Sequence, residues 1–135
     1  MPGTPKKVTY ETTPNIDLVR GMHTHWVVSQ ERNDADEVCM GICHHEANMA
    51  DLVWDQTFDE IFYCAKGRLK VLYEDKKNGK KGEMIANEGE ALFLPRDVHY
   101  VLTATGVDSV NVFTHKGQSL SMFPDYSKQL SSSKM

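Results

Sequence analysis

Two pieces of sequence decide how this chain is read: Asp59-Glu60-Ile61-Phe62-Tyr63-Cys64-Ala65-Lys66-Gly67, and further on Gly89-Glu90-Ala91-Leu92-Phe93-Leu94-Pro95-Arg96-Asp97-Val98-His99-Tyr100. In the first, an acidic residue opens a run rich in β-formers and a glycine ends it. Side chains of an extended strand alternate between faces, so Glu60, Phe62 and Cys64 share one side and Ile61, Tyr63 and Ala65 the other. In the second, a glycine turn opens a short apolar strand. Pro95 closes it, because proline has no amide hydrogen for a ladder. The chain then bends into another strand from Val98. Between the two pieces, Arg68–Glu74 and Gly82–Asn87 read as a hairpin whose tip, Glu74 to Lys81, carries Asn78-Gly79 and four lysines. Those lysines read as a solvated turn.

The same period of two continues outward through Asp17–Arg20, Met22–Ser29, Val38–Glu46 and Asp108–Thr114, with Phe58–Ala65, Ala91–Pro95 and Val98–Thr103 at the centre. Turn chemistry separates these runs at Asn33-Asp34, Lys66-Gly67, Glu88-Gly89, Arg96-Asp97 and Thr105-Gly106. Many short strands with almost no helix predict an all-β sandwich or closed barrel. The 135 residues fit one domain spanning 1–135, with a core of about 38–114, flanking N-terminal strands within 1–30, and a polar tail at 126–135. Ser121-Met122-Phe123-Pro124 reads as a hydrophobic strap over the barrel.

Composition narrows the function classes. A net charge of −4 gives no reason to expect nucleic acid or an anionic membrane as partner. No run approaches the roughly 20 apolar residues of a membrane span. Met1 to Tyr10 holds two lysines without a following apolar block, so it does not read as a secretory signal. Cys39, Cys43 and Cys64 read as buried free thiols, and the expected location is cytoplasmic. P-loop, Gly-x-Ser-x-Gly and Cys-x-x-Cys patterns do not occur.

The two opening pieces resemble the paired motifs of the cupin superfamily (RmlC-like). Its first motif runs His-x-His, three or four residues, Glu, six residues, Gly; Glu60 and Gly67 match the second half. Its second runs Gly, five residues, Pro-x-Gly, two residues, His. Gly89 and Pro95 match, while Asp97 stands where the glycine is expected. The stretch Trp54 to Ile61, with Gly67, Gly89 and Leu94-Pro95, is similar to the EutQ-type ethanolamine-utilisation cupins over about residues 40–114. The resemblance implies a double-stranded β-helix of jelly-roll type. It also implies a homodimer paired through an outer sheet face.

The motif's histidines are largely replaced. A three-residue gap before Glu60 puts Trp54 and Gln56 in their places, and a four-residue gap puts Val53 and Asp55 there. In the second motif the expected position is Tyr100, with His99 one residue early. His99 then reaches the interior only if a bulge shifts the register. No cofactor is expected. A metal alternative stays open, built from Glu60, His99 and either His44 or His45, since one of those neighbours faces inward. His23 and His25 share a strand face but lack a following glutamate and read as surface or interface residues. His115 falls past the last expected strand.

The resemblance implies that the face carrying Glu60, Phe62 and Cys64 looks into the barrel, which makes Glu60 the candidate catalytic residue, because a desolvated carboxyl can act as acid or base near neutral pH. Trp54, Gln56, Phe62, Tyr100, His99 and Arg96 are the candidate ligand contacts. Trp54, Gln56 and Tyr100 suit a small polar metabolite, and Arg96 is a possible carboxylate or phosphate clamp. Three functions follow. The first is a metal-independent EutQ-like cupin binding a small polar metabolite, with acid–base or, as the resemblance implies, acetate-kinase-like transfer chemistry. The second is a metal-dependent dioxygenase or lyase with displaced ligands. The third is a non-catalytic dimeric binding or scaffold module.

Overall fold

The computed structural model describes residues 4–116; the expected strap at 121–124 and the tail at 126–135 lie outside them. Ten strands follow one another: β1 (Ile16–Asp17), β2 (Met22–Val28), β3 (Val38–His45), β4 (Leu52–Asp55), β5 (Glu60–Lys66), β6 (Arg68–Asp75), β7 (Lys81–Asn87), β8 (Ala91–Leu94), β9 (Val98–Thr103) and β10 (Ser109–Lys116). A single 3-10 turn, Tyr10–Thr12, and one short helix, α1 (Gln30–Asn33), complete the described chain. The strands form two antiparallel sheets, one ordered β1-β2-β3-β10-β5-β8 and the other β4-β9-β6-β7. No helix among the described residues is long and apolar enough to cross a membrane.

Alternation sets the core. Glu60, Phe62 and Cys64 of β5 are buried while Ile61, Tyr63 and Ala65 are exposed. From β9, Val98, Tyr100 and Leu102 turn inward, leaving His99, Val101 and Thr103 outside. Trp26, Phe62 and Phe113 of the larger sheet meet Leu69, Val71, Ala86 and Leu102 of the smaller one. Gly41 lies beneath the Phe113 ring, where a Cβ would fall 2.1 Å from a ring carbon, so only glycine leaves room there.

Local departures from the sequence reading have local causes. The strand expected at Asp17–Arg20 is only the two-residue β1, and Gly21 turns the chain with φ +82° into β2. Strand β4 shows no strong local signal; it is a strand because Trp54 and Asp55 find partners in Tyr100 and His99 of β9. Helix α1 forms where Ser29 accepts the Arg32 amide hydrogen at 3.2 Å and Asp34, at φ 56°, ends the turn. His23 is held on the surface between Asp17 (2.8 Å) and Glu46 (2.9 Å), which tie β1 and the end of β3 to β2. His25 is buried against Tyr10 and bonds the Thr13 carbonyl at 3.2 Å.

Candidate functional site

The two motif segments are stitched together by backbone bonds. The Gln56 amide donates to the Val98 carbonyl at 3.0 Å, and the Asp97 amide donates to the Gln56 carbonyl at 2.9 Å. The Arg96 amide donates to Asp59 Oδ1 at 3.0 Å. Asp97 itself sits at φ 65°, in the left-handed region that aspartate tolerates better than most residues. The turn that favours a glycine is therefore made without one.

This stitching aims Gln56 at Glu60. An indole N–H only donates, so the 2.6 Å contact from Trp54 Nε1 fixes Gln56 Oε1 toward the tryptophan. The amide nitrogen then faces Glu60 and donates to Oε1 at 3.4 Å. Glu60 is 7 % exposed, and burial pushes its carboxyl up to about 8, against the smaller opposing effect of the Gln56 bond. At neutral pH the group is a carboxylic acid.

Directly opposite Glu60 on β10 stands His115. Its Nδ1 lies 2.8 Å from the Lys116 carbonyl, which can only accept, so Nδ1 carries the hydrogen and Nε2 keeps the lone pair. Burial holds this imidazole below its ordinary value, with the Lys116 bond opposing. The ring lies 4.4 Å from that of Phe58. Sequence reasoning missed this residue, because the last strand was expected to stop at Thr114. Period-2 alternation continued through one more residue was the only signal available.

Glu60 and His115 line a narrow slot of about 50 Å³ between the sheets. Its other walls are mainly apolar, including Trp26, Phe58, Phe62 and Phe113, with Trp54 and Gln56 beside Glu60. Tyr100 backs the slot from outside its lining. Its ring lies 5.5 Å from Trp54 and its hydroxyl donates to the Pro95 carbonyl at 2.7 Å. Burial holds that phenol above its ordinary range, so it stays protonated.

The remaining candidates are placed elsewhere. His99 faces outward, bonds Asp55 at 2.9 Å, and borders a broad open groove of about 570 Å³ on the smaller sheet. No bulge brings it inside. Arg96 is exposed on the turn and does not line the slot. His44 faces outward near Tyr10 and His25. His45 faces inward, but at the wrong end. It pairs with Ser109, while Glu60 pairs with His115, which pairs in turn with Cys39. Six residues of β3 separate the Cys39 level from His45, a strand length of about 20 Å. His45 instead sits 3.1 Å from Asn111 Nδ2, and burial pushes it down to about 4. All three cysteines are buried and none is in a disulfide among the described residues, as the sequence suggested.

No protein-family profile and no curated protein matches the sequence. Solved structures do match. An RmlC-like cupin from Shewanella frigidimarina NCIMB 400 superposes with a TM-score of 0.66 at 14% identity, over 90% of this chain and 99% of that one. The EutQ protein of Clostridium difficile gives 0.58 at 16%, over 84% and 76%. The polyketide cyclase RemF from Streptomyces resistomycificus gives 0.64 at 17%, over 85% and 81%. The chain has the cupin fold. At these identities the likeness is one of architecture.

The cupin fold commonly carries a metal at the positions this chain fills with Trp54, Gln56, Glu60 and Tyr100. An indole N–H donates only, the Gln56 oxygen is engaged by that indole, and the Tyr100 hydroxyl is engaged by Pro95. These residues do not fit a metal, which needs about three N, O or S donors converging. Among the described residues no three His, Cys, Asp or Glu side chains converge in a way that would hold one. The set Glu60, His99 and His44 or His45 is dispersed over both faces and both ends of this cupin barrel.

Proposed function

We propose that the slot beside Glu60 binds a small uncharged molecule with a hydrogen-bond-accepting carbonyl, and that Glu60 serves it as a proton donor. One observation carries this reading: a carboxyl group is withdrawn from water in the lining of a slot whose walls are mainly apolar. Pockets that orient a small ligand are built in this way, with few polar groups on an apolar lining. The size of the slot favours an occupant of only a few heavy atoms. Phosphoryl transfer is not favoured, because no Lys or Arg among the described residues lines the slot to meet a phosphate.

Binding should follow the protonation of Glu60. Among the described residues, His115 of β10 stands opposite it, and the Glu60 charge would also reach Cys43 of β3 and Tyr100 of β9. Burial pushes the Cys43 thiol up to about 12, keeps the Tyr100 phenol protonated, and disfavours the His115 cation, so all three stay neutral around pH 7–8. Hydroxyacetone, titrated while the Trp54 indole N–H resonance is followed by NMR, is expected to bind evenly up to about pH 7. Affinity should fall about tenfold above pH 8, where the carboxylate can no longer donate to a carbonyl oxygen. Glu60→Gln mimics the neutral acid and should bind without that fall. No indole shift at any pH, or pH-independent binding to the natural protein, overturns the reading.

We also propose that the larger sheet pairs with a second copy of the chain. Ile61, Tyr63 and Phe93 are exposed, and Ile61 is paired with Phe93 while Tyr63 is paired with the half-buried Val112. One face of an antiparallel sheet is normally solvated and polar. This one is an apolar strip that a two-fold partner would cover with its own. Sedimentation at micromolar concentration is expected to show a dimer, and Tyr63→Lys with Phe93→Lys a monomer. A monomeric natural protein rejects the pairing.

A further inference from the structure

We propose that Glu60 and His115 form an acid–base couple that enolises a small uncharged carbonyl compound held in the slot, an activity that rests on the binding reading above. The register makes the two residues direct cross-strand partners on the inward face. Such partners have Cβ atoms about 4.5–5.5 Å apart, so both functional groups reach one small molecule. Both line the same cavity.

Each group is presented in the state the reaction needs. The Lys116 carbonyl holds the hydrogen of His115 on Nδ1, which leaves Nε2 as the base. The Gln56 amide donates to Oε1 of Glu60, which leaves Oε2 to carry the acidic proton. Burial acts on the two in opposite directions, keeping the acid protonated and the base unprotonated at the same pH. Environments that separate two titratable groups in this way assign the acid and the base. The rings of Phe58, Phe62 and Phe113 suit a flat carbonyl compound. Cys39 also faces His115, from β3, but it is not part of the slot's lining.

The step balances without a co-reactant. His115 Nε2 takes a proton from the carbon next to the carbonyl, and the C–H electron pair becomes the carbon–carbon double bond. The carbonyl π pair takes the Glu60 proton, giving an enol, a carboxylate and an imidazolium. Return of both protons regenerates the compound. Return of the imidazolium proton to the neighbouring carbon, after a second proton shift between oxygens, isomerises an α-hydroxycarbonyl.

Hydroxyacetone in D2O tests this by proton NMR. The natural protein is expected to accelerate loss of the C1 proton signal at least 100-fold over buffer, within the usual range for positioned acid–base groups. His115→Gln should reduce the exchange to the buffer rate while still shifting the Trp54 indole resonance on binding. His99→Gln, on the outer face, should exchange like the natural protein. Binding without exchange, or undiminished exchange by His115→Gln, overturns the couple and leaves the binding reading standing. Absence of any indole shift overturns both.

Discussion

Glu60→Gln is expected to make the protein markedly more stable above neutral pH while abolishing its pH-dependent chemistry. The sign follows from linkage. The folded-state value of Glu60 is raised to about 8 from an ordinary 4.5. Between those two values the folded protein holds a proton that the unfolded chain has lost. Stability is therefore full below about pH 4.5, declines by up to about 1.4 kcal/mol per pH unit, and levels above about pH 8. The accumulated loss over that window is about 5 kcal/mol. Glutamine has nearly the same shape, keeps an oxygen to accept from Gln56, and does not titrate in this range. At pH 5 the two proteins should melt within a few degrees of each other; at pH 8.5 the variant should melt roughly 10 °C higher. Parallel stability curves across this range would show that the carboxyl does not sit in a water-poor site. A residue that costs the fold this much and sits in a cavity fits the usual exchange of stability for function.

Gly67→Ala is the second large effect, and Gly89→Ala is its control. Both motif glycines sit in the left-handed region, Gly67 at φ +84° and Gly89 at φ +87°. Placing an ordinary residue there costs about 1–2 kcal/mol. Their surroundings differ. A Cβ on Gly67 would lie 2.3 Å from the Asp108 carbonyl oxygen and 3.0 Å from Ser109, whereas Gly89 has nothing within 4 Å. The Asp108 carbonyl is backbone entering β10, so relief would have to move the strand that carries His115. Strain from such crowding adds about 1–3 kcal/mol. Chemical denaturation should therefore show Gly67→Ala losing about 2–5 kcal/mol, summed from those two costs, and always more than Gly89→Ala, which should lose no more than about 2. Equal losses would mean that conformation alone, without the close approach, explains both glycines.

The two sheets show where sequence reasoning works and where it stops. Alternation divided Glu60–Ala65 into two faces, the cupin resemblance implied that the Glu60 face looks inward, and in the structure that face is the buried one. The resemblance of Glu60, Gly67, Gly89 and Pro95 to the paired cupin motifs implied the fold that the structure has. Strand β4 was not legible, because four residues give too little alternation and its strand character comes from β9. For His99, the plain alternation that turned it outward was correct, and no bulge rescues it.

By itself, then, the sequence determined that this chain is all-β, which residues of the Glu60 strand share a face, and that position 60 holds a carboxyl among apolar neighbours. Those properties are local, written in a repeat of two residues and in the turns between repeats. Only the tertiary structure decided that His115 is the neighbour of Glu60 and that His45 is a strand length away. The reason is that β5 and β10 are joined by hydrogen bonds between residues far apart in the chain. Alternation states which way a side chain points, but the register between strands settles only when the whole sheet assembles around its core.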